Sequence, residues 1–272
     1  MAATDFAIHL ADAVTAVLPR RLPTLERLRA CRIVSHRGEH DNRQVLENTL
    51  AAFRAASDAG VWGIECDLRW SRDDVPIICH DTDARRVFGQ SCVVANTDFS
   101  QLRDRLPELP TLAEVVSEFG GRTHIMLEIK DTGEALSDRR KAILRELLST
   151  MTVSRDFHLL ALQPALFSAV DFLPREACFP VAELNVADIS EQALAGDFGG
   201  ITGHYLLLGA AIQRQHRAAG QRIGTGFVRS RYGLYRELNR GVEWVFSNHA
   251  VHLQALLDKA LAQAARAEGP VS

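Results

Sequence analysis

The chain has 272 residues, of which 47% are hydrophobic and 24% charged, with a formal net charge of -3 at pH 7. Folding a chain of this length buries roughly three quarters of its unfolded surface around a large core, and no apolar run approaches the roughly 20 residues of a membrane span. The slightly acidic balance excludes the clustered basic surface of a nucleic-acid binder, so an anionic small molecule has to be attracted by a local cationic pocket.

Residues 1–30 read as an N-terminal helical extension of one or two short helices, broken at Pro19 and Pro23 because proline disrupts a helix interior. Its apolar positions, Phe6, Ile8, Leu10, Val14, Val17 and Leu18, are expected to cap one end of the domain that follows, a surface or oligomer contact being the less favoured alternative. Asp5 and Asp12 interrupt the stretch and no basic segment precedes it, so it does not read as a secretion signal. Beyond it, strand-like and helix-like segments alternate. The strands fall at 32–35, 62–69, 75–79, 124–129, 157–162, 177–181, 199–202, 222–228 and 244–247. Helical stretches include 48–60, 137–151, 164–172, 190–196, 209–219, 232–240 and 249–266. Nine strands are one more than a (β/α)₈ barrel requires. Ser71-Arg72-Asp73-Asp74 joins 62–69 to 75–79 with too few residues for a helical crossover, which predicts an antiparallel β-hairpin. Its second arm sits above the barrel mouth and leaves eight parallel strands. With no repeat or Pro/Gly linker, residues 31–272 are expected to form a single TIM-barrel domain of the α/β class. The five cysteines are odd in number and lack CxxC spacing, so they suggest neither a disulfide framework nor a zinc site, and a reduced, cytoplasmic setting is expected.

In such a barrel the active site lies at the carboxyl ends of the strands. His36, Glu65, Asp67, Glu128 and Lys130 all fall there, and His80 follows the second arm of the hairpin. Residues two apart in a strand share a face, so Glu65 points with Asp67, and Glu128 with Lys130. Three carboxylates in one mouth repel and raise one another's pKa unless a cation sits among them. An all-oxygen set suits Mg²⁺ or Ca²⁺ rather than Zn²⁺. His36 and His80 flank the carboxylates as an acid/base pair, one ring accepting a proton while the other donates. Asp81 either orients a histidine or belongs to a turn. Arg37 and Lys130 supply positive charge for a phosphodiester, Lys130 being alternatively an ion-pair partner of Glu65 or Glu128. Gly38 permits a tight turn. Asn48 or Thr49 caps the next helix, and Glu47 either supports the site or is an acid favoured by the helix dipole.

With these residues in place, the chain resembles the glycerophosphodiester phosphodiesterase family. The resemblance rests on His36-Arg37-Gly38, Glu47-Asn48-Thr49-Leu50-Ala51-Ala52-Phe53, Gly63-Ile64-Glu65-Cys66-Asp67, Val75-Pro76-Ile77-Ile78-Cys79-His80-Asp81, Pro110-Thr111-Leu112-Ala113-Glu114 and Leu127-Glu128-Ile129-Lys130. It implies a barrel with a small insertion after the hairpin, a divalent metal on Glu65, Asp67 and Glu128, and His36 with His80 as acid and base. The activity implied is metal-dependent hydrolysis of a glycerophosphodiester to glycerol phosphate and an alcohol. The second half departs from the family pattern at Ala161-Leu162-Gln163, Gly226-Phe227-Val228-Arg229 and Ser247-Asn248, the strand ends that should line the wall around the ester groups. Gln163 and Arg229 are therefore secondary candidates. Arg229 either meets an acidic group on the substrate or salt-bridges Glu243, the second being favoured. Two alternatives stand beside hydrolysis: a phospholipase D-like lyase that converts lysophospholipids to cyclic phosphates, and a binding barrel without catalysis.

Overall fold

Eight parallel strands close into a barrel in the computed structural model, which describes residues 2–131, 133 and 135–268, with the side chains of 2–7, 9 and 268, Phe6 among them, outside the described set. The staves are β1 (Arg32–His36), β2 (Gly63–Trp70), β4 (His124–Ile129), β5 (Phe157–Ala161), β6 (Cys178–Ala182), β7 (Gly200–His204), β8 (Arg222–Gly226) and β9 (Trp244–Ser247). They pair in chain order, and β1 closes the ring against both β2 and β9. The short β3 (Pro76–Ile78) pairs antiparallel with β2, matching Leu68 to Ile78 and Trp70 to Pro76. Ser71 closes that hairpin: its hydroxyl donates to Asp73 at 2.7 Å and accepts the Val75 amide at 2.9 Å. The expected hairpin and eight-stranded (β/α)₈ barrel are thus both present.

Side chains alternate along each strand. Val34, Met126, Leu160, Phe179, Trp244 and Phe246 fill the barrel interior. Ile33, Ile64, Cys66, Leu68, Ile125, Leu127 and Leu159 face the helices. Those helices are α1 (Ala2–Val17), α2 (Leu25–Ala30), α3 (Leu50–Asp58), α4 (Arg85–Phe88), α5 (Phe99–Arg105), α6 (Leu112–Phe119), α7 (Asp138–Leu148), α8 (Val186–Ala195), α9 (Ala210–Ala218), α10 (Arg231–Asn239) and α11 (Ala250–Glu268). Two departures from the sequence reading have local causes. The stretch expected as a helix at 164–172 is a 3₁₀ segment, Pro164–Val170. Between 80 and 124, where the sequence pattern marked no helix, α4, α5 and α6 form. The first two are too short for apolar periodicity to show, and they gather Ala84, Cys92, Val94, Leu102, Leu106 and Leu109 with Ile77 and Cys79 into a small core of their own. The third starts in a capping box, in which Thr111 accepts the Glu114 amide while the Glu114 carboxylate accepts the Thr111 amide.

The extension does break into two helices around Pro19 and Pro23. Its first helix lies along α10 at the carboxyl end of the barrel, where Asp12 accepts a hydrogen bond from the Tyr205 hydroxyl at 2.5 Å.

Immediately after β1 the chain turns through Arg37 and Gly38, both with positive φ (59° and 79°). A Cβ on Gly38 would lie 2.6 Å from the Ala52 Cβ of α3. Gly38→Ala is therefore expected to cost about 2 kcal/mol or more through backbone strain and overlap, read as a lowered thermal unfolding midpoint.

Candidate active site

Strand register brings the charged residues together. His36 on β1 lies beside Glu65 on β2, and Asp67 on β2 lies beside Glu128 on β4. Carboxylate oxygens of Glu65, Asp67 and Glu128 all lie within 4.8 Å of one another, and all three residues are buried. Glu65 is held well above the usual carboxylate range by burial and by the charges of Asp67 and Glu128; Glu128 is raised by burial and Asp67. Asp67 goes the other way, because although burial raises it, Lys130 and Arg37 outweigh that effect. Lys130 Nζ sits 2.7 Å from Asp67 Oδ1 and also bonds Glu128, so its ion pairs join those two rather than Glu65. Hydrogen bonding to the Glu65 carboxylate is one-sided: Oε2 accepts the Arg37 amide at 3.0 Å, while the buried Oε1 has no hydrogen-bond partner. An orphaned oxygen inside a cluster of hard, mutually repelling donors fits a divalent cation.

Both histidines are oriented through Nδ1. His36 Nδ1 is 2.6 Å from Asn248 Oδ1, and His80 Nδ1 is 2.7 Å from Asp81 Oδ1. With Asn248 presenting its carbonyl oxygen, Nδ1 of His36 carries the proton and Nε2 holds the lone pair. Burial and the adjacent Arg37 push His36 down to about 4, keeping the ring neutral near pH 7. Burial lowers His80 below the usual imidazole range, and the charge of Asp67 and the hydrogen bond to Asp81 offset only part of that effect. Of the two readings of Asp81, it orients the histidine, while Asp83 beside it makes the turn by accepting the Arg85 amide at 2.8 Å.

Glu47 is not a helix-dipole acid. It is buried and accepts from Arg37 Nη1 at 2.9 Å, from Asn42 at 2.7 Å and from both terminal nitrogens of Arg86 at 2.6 and 2.9 Å. Arg86 Nε also donates to Asp81 at 2.6 Å, so one guanidinium ties the support of Arg37 to that of His80. Thr49 caps α3, accepting the Ala52 amide. Asn48, in left-handed backbone at φ 56°, instead donates to Asp67 Oδ2 at 2.7 Å.

One cavity of about 280 Å³ gathers these groups. His36, Arg37, Glu65, His80, Glu128 and Lys130 line one side; Leu160, Leu162, Val181, Leu184, Leu207 and Phe227 line the other, with Ile8 of α1 at the rim. Two secondary candidates fall outside this lining. Leu162 takes the inward position after β5, and Gln163 turns outward to donate to Asp131 at 3.2 Å. Arg229 pairs with Asp12 at 2.5 Å and not with Glu243. The reason is topological: Arg229 follows the carboxyl end of β8, whereas Glu243 precedes the amino end of β9, at the opposite end of the barrel. Sequence reasoning missed Arg86 and Asn248 as supports and His204, at the end of β7, as a lining residue that stacks on Phe227 at 5.6 Å. Only a histidine closing a strand could have signalled the last of these.

The model of the glycerophosphoryl diester phosphodiesterase family matches residues 36–170. Over that stretch the chain belongs to this family. It is 30% identical over 128 residues to glycerophosphodiester phosphodiesterase 1 of Bos taurus, a match covering 42% of this chain and 38% of that one. It is 27% identical over 127 residues to the human protein named lysophospholipase D GDPD1, covering 45% and 40%. These matches therefore span about two fifths of each relative's length. Its fold is shared with the crystal structure of a glycerophosphodiester phosphodiesterase from Thermotoga maritima, at a TM-score of 0.70 and 21% identity over 84% of this chain and 98% of the other. A phosphodiesterase of Oleispira antarctica in complex with the product sn-glycerol-3-phosphate superposes at a TM-score of 0.71 with 22% identity, over 84% and 96%. The family-matched stretch holds His36, Arg37, Glu65, His80, Glu128 and Lys130, while the lining from Val181 to Phe246, largely apolar but with Glu183 and His204, lies beyond it.

Glu47 offers a direct probe of the support network. Hydrogen bonds from Arg86 and Asn42, with the charge of Arg37, overcome burial and hold its carboxyl well below the usual range. A depressed folded-state pKa contributes stability above the unfolded value that is lost as pH falls through the folded one. Glu47→Gln should cost about 1–3 kcal/mol near neutral pH, and the difference in unfolding midpoint from the parent protein should shrink progressively in strong acid.

Proposed function

We propose that the protein is a divalent-metal-dependent phosphodiesterase that hydrolyses glycerophosphodiesters to glycerol phosphate and an alcohol. The observation that carries this reading is the meeting, in one cavity, of two oriented imidazoles and a buried three-carboxylate cluster. Glu65, Asp67 and Glu128 would hold Mg²⁺ or Ca²⁺, which when bound polarises a phosphate oxygen and offsets charge developing at phosphorus. His36, neutral with Nε2 unprotonated, takes the proton of the attacking oxygen. His80, supported by the Asp81 carboxylate, protonates the departing alkoxide. Arg37 and Lys130 place positive charge at the charged wall, and their ion pairs to Glu47, Asp67 and Glu128 keep them extended there. The five buried thiols, none of them in a disulfide, support a reducing cytoplasmic setting, and no helix among the described residues is long and apolar enough to cross a membrane.

A second reading has an observation in its favour. The apolar side of the cavity accommodates an acyl-bearing group better than a small polar one, which supports lysophospholipids as substrates; in a lyase route the substrate's own hydroxyl would attack phosphorus, expelling the headgroup alcohol and leaving a cyclic phosphate. Phosphorus NMR of the products separates hydrolysis from this lyase route.

Three measurements test the proposal. His36→Ala and His80→Ala should each lower turnover of a glycerophosphodiester by about 10²–10⁴-fold, and near-parental turnover in either variant overturns the acid/base assignment. Chelation should abolish activity, with Mg²⁺ and Ca²⁺ added back separately to identify the metal; binding without turnover under every divalent ion would leave a non-catalytic barrel. Asn48→Ala, which removes a hydrogen bond from a ligand carboxylate, should weaken metal affinity by about 10–100-fold in calorimetry.

A further inference from the structure

The first helix is inside out. At about 3.6 residues per turn, Ile8, Asp12 and Thr15 share one side of α1, Leu10, Val14 and Val17 share the other, and Leu18 follows the helix end. The side against the barrel is largely polar: Asp12 and Thr15 are buried, Asp12 bonding Tyr205 and pairing with Arg229. The opposite side is apolar and exposed, with Leu10 at 57%, Val14 at 52%, Val17 at 73% and Leu18 at 46% of full accessibility. No described side chain of α1 joins a hydrophobic core cluster. The polar anchors hold the helix in this orientation, so its apolar stripe is presented outward by construction.

The stripe has neighbours of matching character. Apart from Val93, the other exposed large hydrophobic residues among those described are Leu184 and Phe227, and both line the cavity mouth together with Ile8 of α1. Ile8 thus places α1 itself at the rim of the candidate active site, beside Leu184 and Phe227. Directly after Leu18 and Pro19 come Arg20 and Arg21, both exposed.

We propose that α1 is an interfacial helix that docks the barrel mouth onto an anionic lipid bilayer. Leu10, Val14, Val17 and Leu18 enter the headgroup–acyl boundary, and Arg20 and Arg21 meet the anionic headgroups. A second copy of the chain is the poorer occupant, because a partner covering both the stripe and the rim at Leu184 and Phe227 would close the mouth to substrate. A bilayer holds amphiphilic phosphodiesters at the surface the mouth then faces, a consequence that rests on the phosphodiesterase reading; the docking itself does not.

Co-sedimentation with vesicles tests this independently of turnover. Vesicles of equal parts phosphatidylcholine and phosphatidylglycerol should pull down the full chain, and vesicles of phosphatidylcholine alone should do so more weakly, by about thirtyfold for two basic residues near the surface. The double variant Val14→Asp, Val17→Asp replaces two outward side chains remote from the cavity lining. It should keep the parent's unfolding midpoint and its activity on a water-soluble glycerophosphodiester while losing vesicle binding by at least about tenfold. Arg20→Glu, Arg21→Glu should abolish the preference for anionic vesicles. Failure of the parent to bind the mixed vesicles, equal binding by the Asp variant, or a parental dimer that the Asp variant dissociates would overturn the proposal, the last by making the stripe an interface between copies. Loss of turnover in the parent with vesicle binding intact would count against the phosphodiesterase reading alone.

Discussion

Three carboxylates are forced into one buried volume, and most of the surrounding polar structure answers that constraint. Glu65, Asp67 and Glu128 cannot all remain ionised in a low-dielectric mouth unless cations face them. Lys130 and Arg37 supply part of the compensation, at Asp67 above all, and Asn48 adds a neutral donor. What they leave unanswered is concentrated at Glu65, whose carboxyl is raised and whose Oε1 is orphaned. The deficit has the sign and the location that a bound divalent cation would answer.

The same constraint explains the unusual backbone nearby. Arg37 and Asn48 both adopt left-handed conformations, and the Asn48 amide donates to the Arg37 carbonyl at 2.9 Å. Such conformations cost energy in residues other than glycine and persist where surrounding contacts over-determine them. Here the contacts are to Glu47, Glu65 and Asp67, the groups that need donors. Arg86 then extends the network to His80 through Asp81, so the loop after β1 and the insertion after β3 position one site from two sides.

Across the cavity the chemistry changes. Strand ends from β5 to β9 contribute chiefly leucine, valine and phenylalanine, and Ile8 of α1 adds to that lining at the rim. A site with one charged and one apolar wall suits an amphiphile whose phosphate and hydrocarbon parts bind separately. The Asp12 contacts to Tyr205 and Arg229 turn the helix so that its two faces serve these different surroundings.

Local patterning determined a good deal by itself. Residues two apart in a strand must share a face, so the Glu65/Asp67 and Glu128/Lys130 pairings followed from spacing, and a four-residue link left the chain no room for a crossover between β2 and β3. Those inferences rest on backbone geometry that each short segment carries alone. Contacts between distant segments were different. Arg86 reaches Glu47 across 39 positions, Asn248 reaches His36 across 212, and Arg229 finds Asp12 because barrel closure places β8's carboxyl end beside α1 and sends Glu243 to the far end. Hydrophobic periodicity also misled at α1, where Leu10, Val14, Val17 and Leu18, read first as part of a barrel cap, face outward. Which face of a helix is buried depends on the partners tertiary structure supplies, and here two of those partners, Tyr205 and Arg229, are polar.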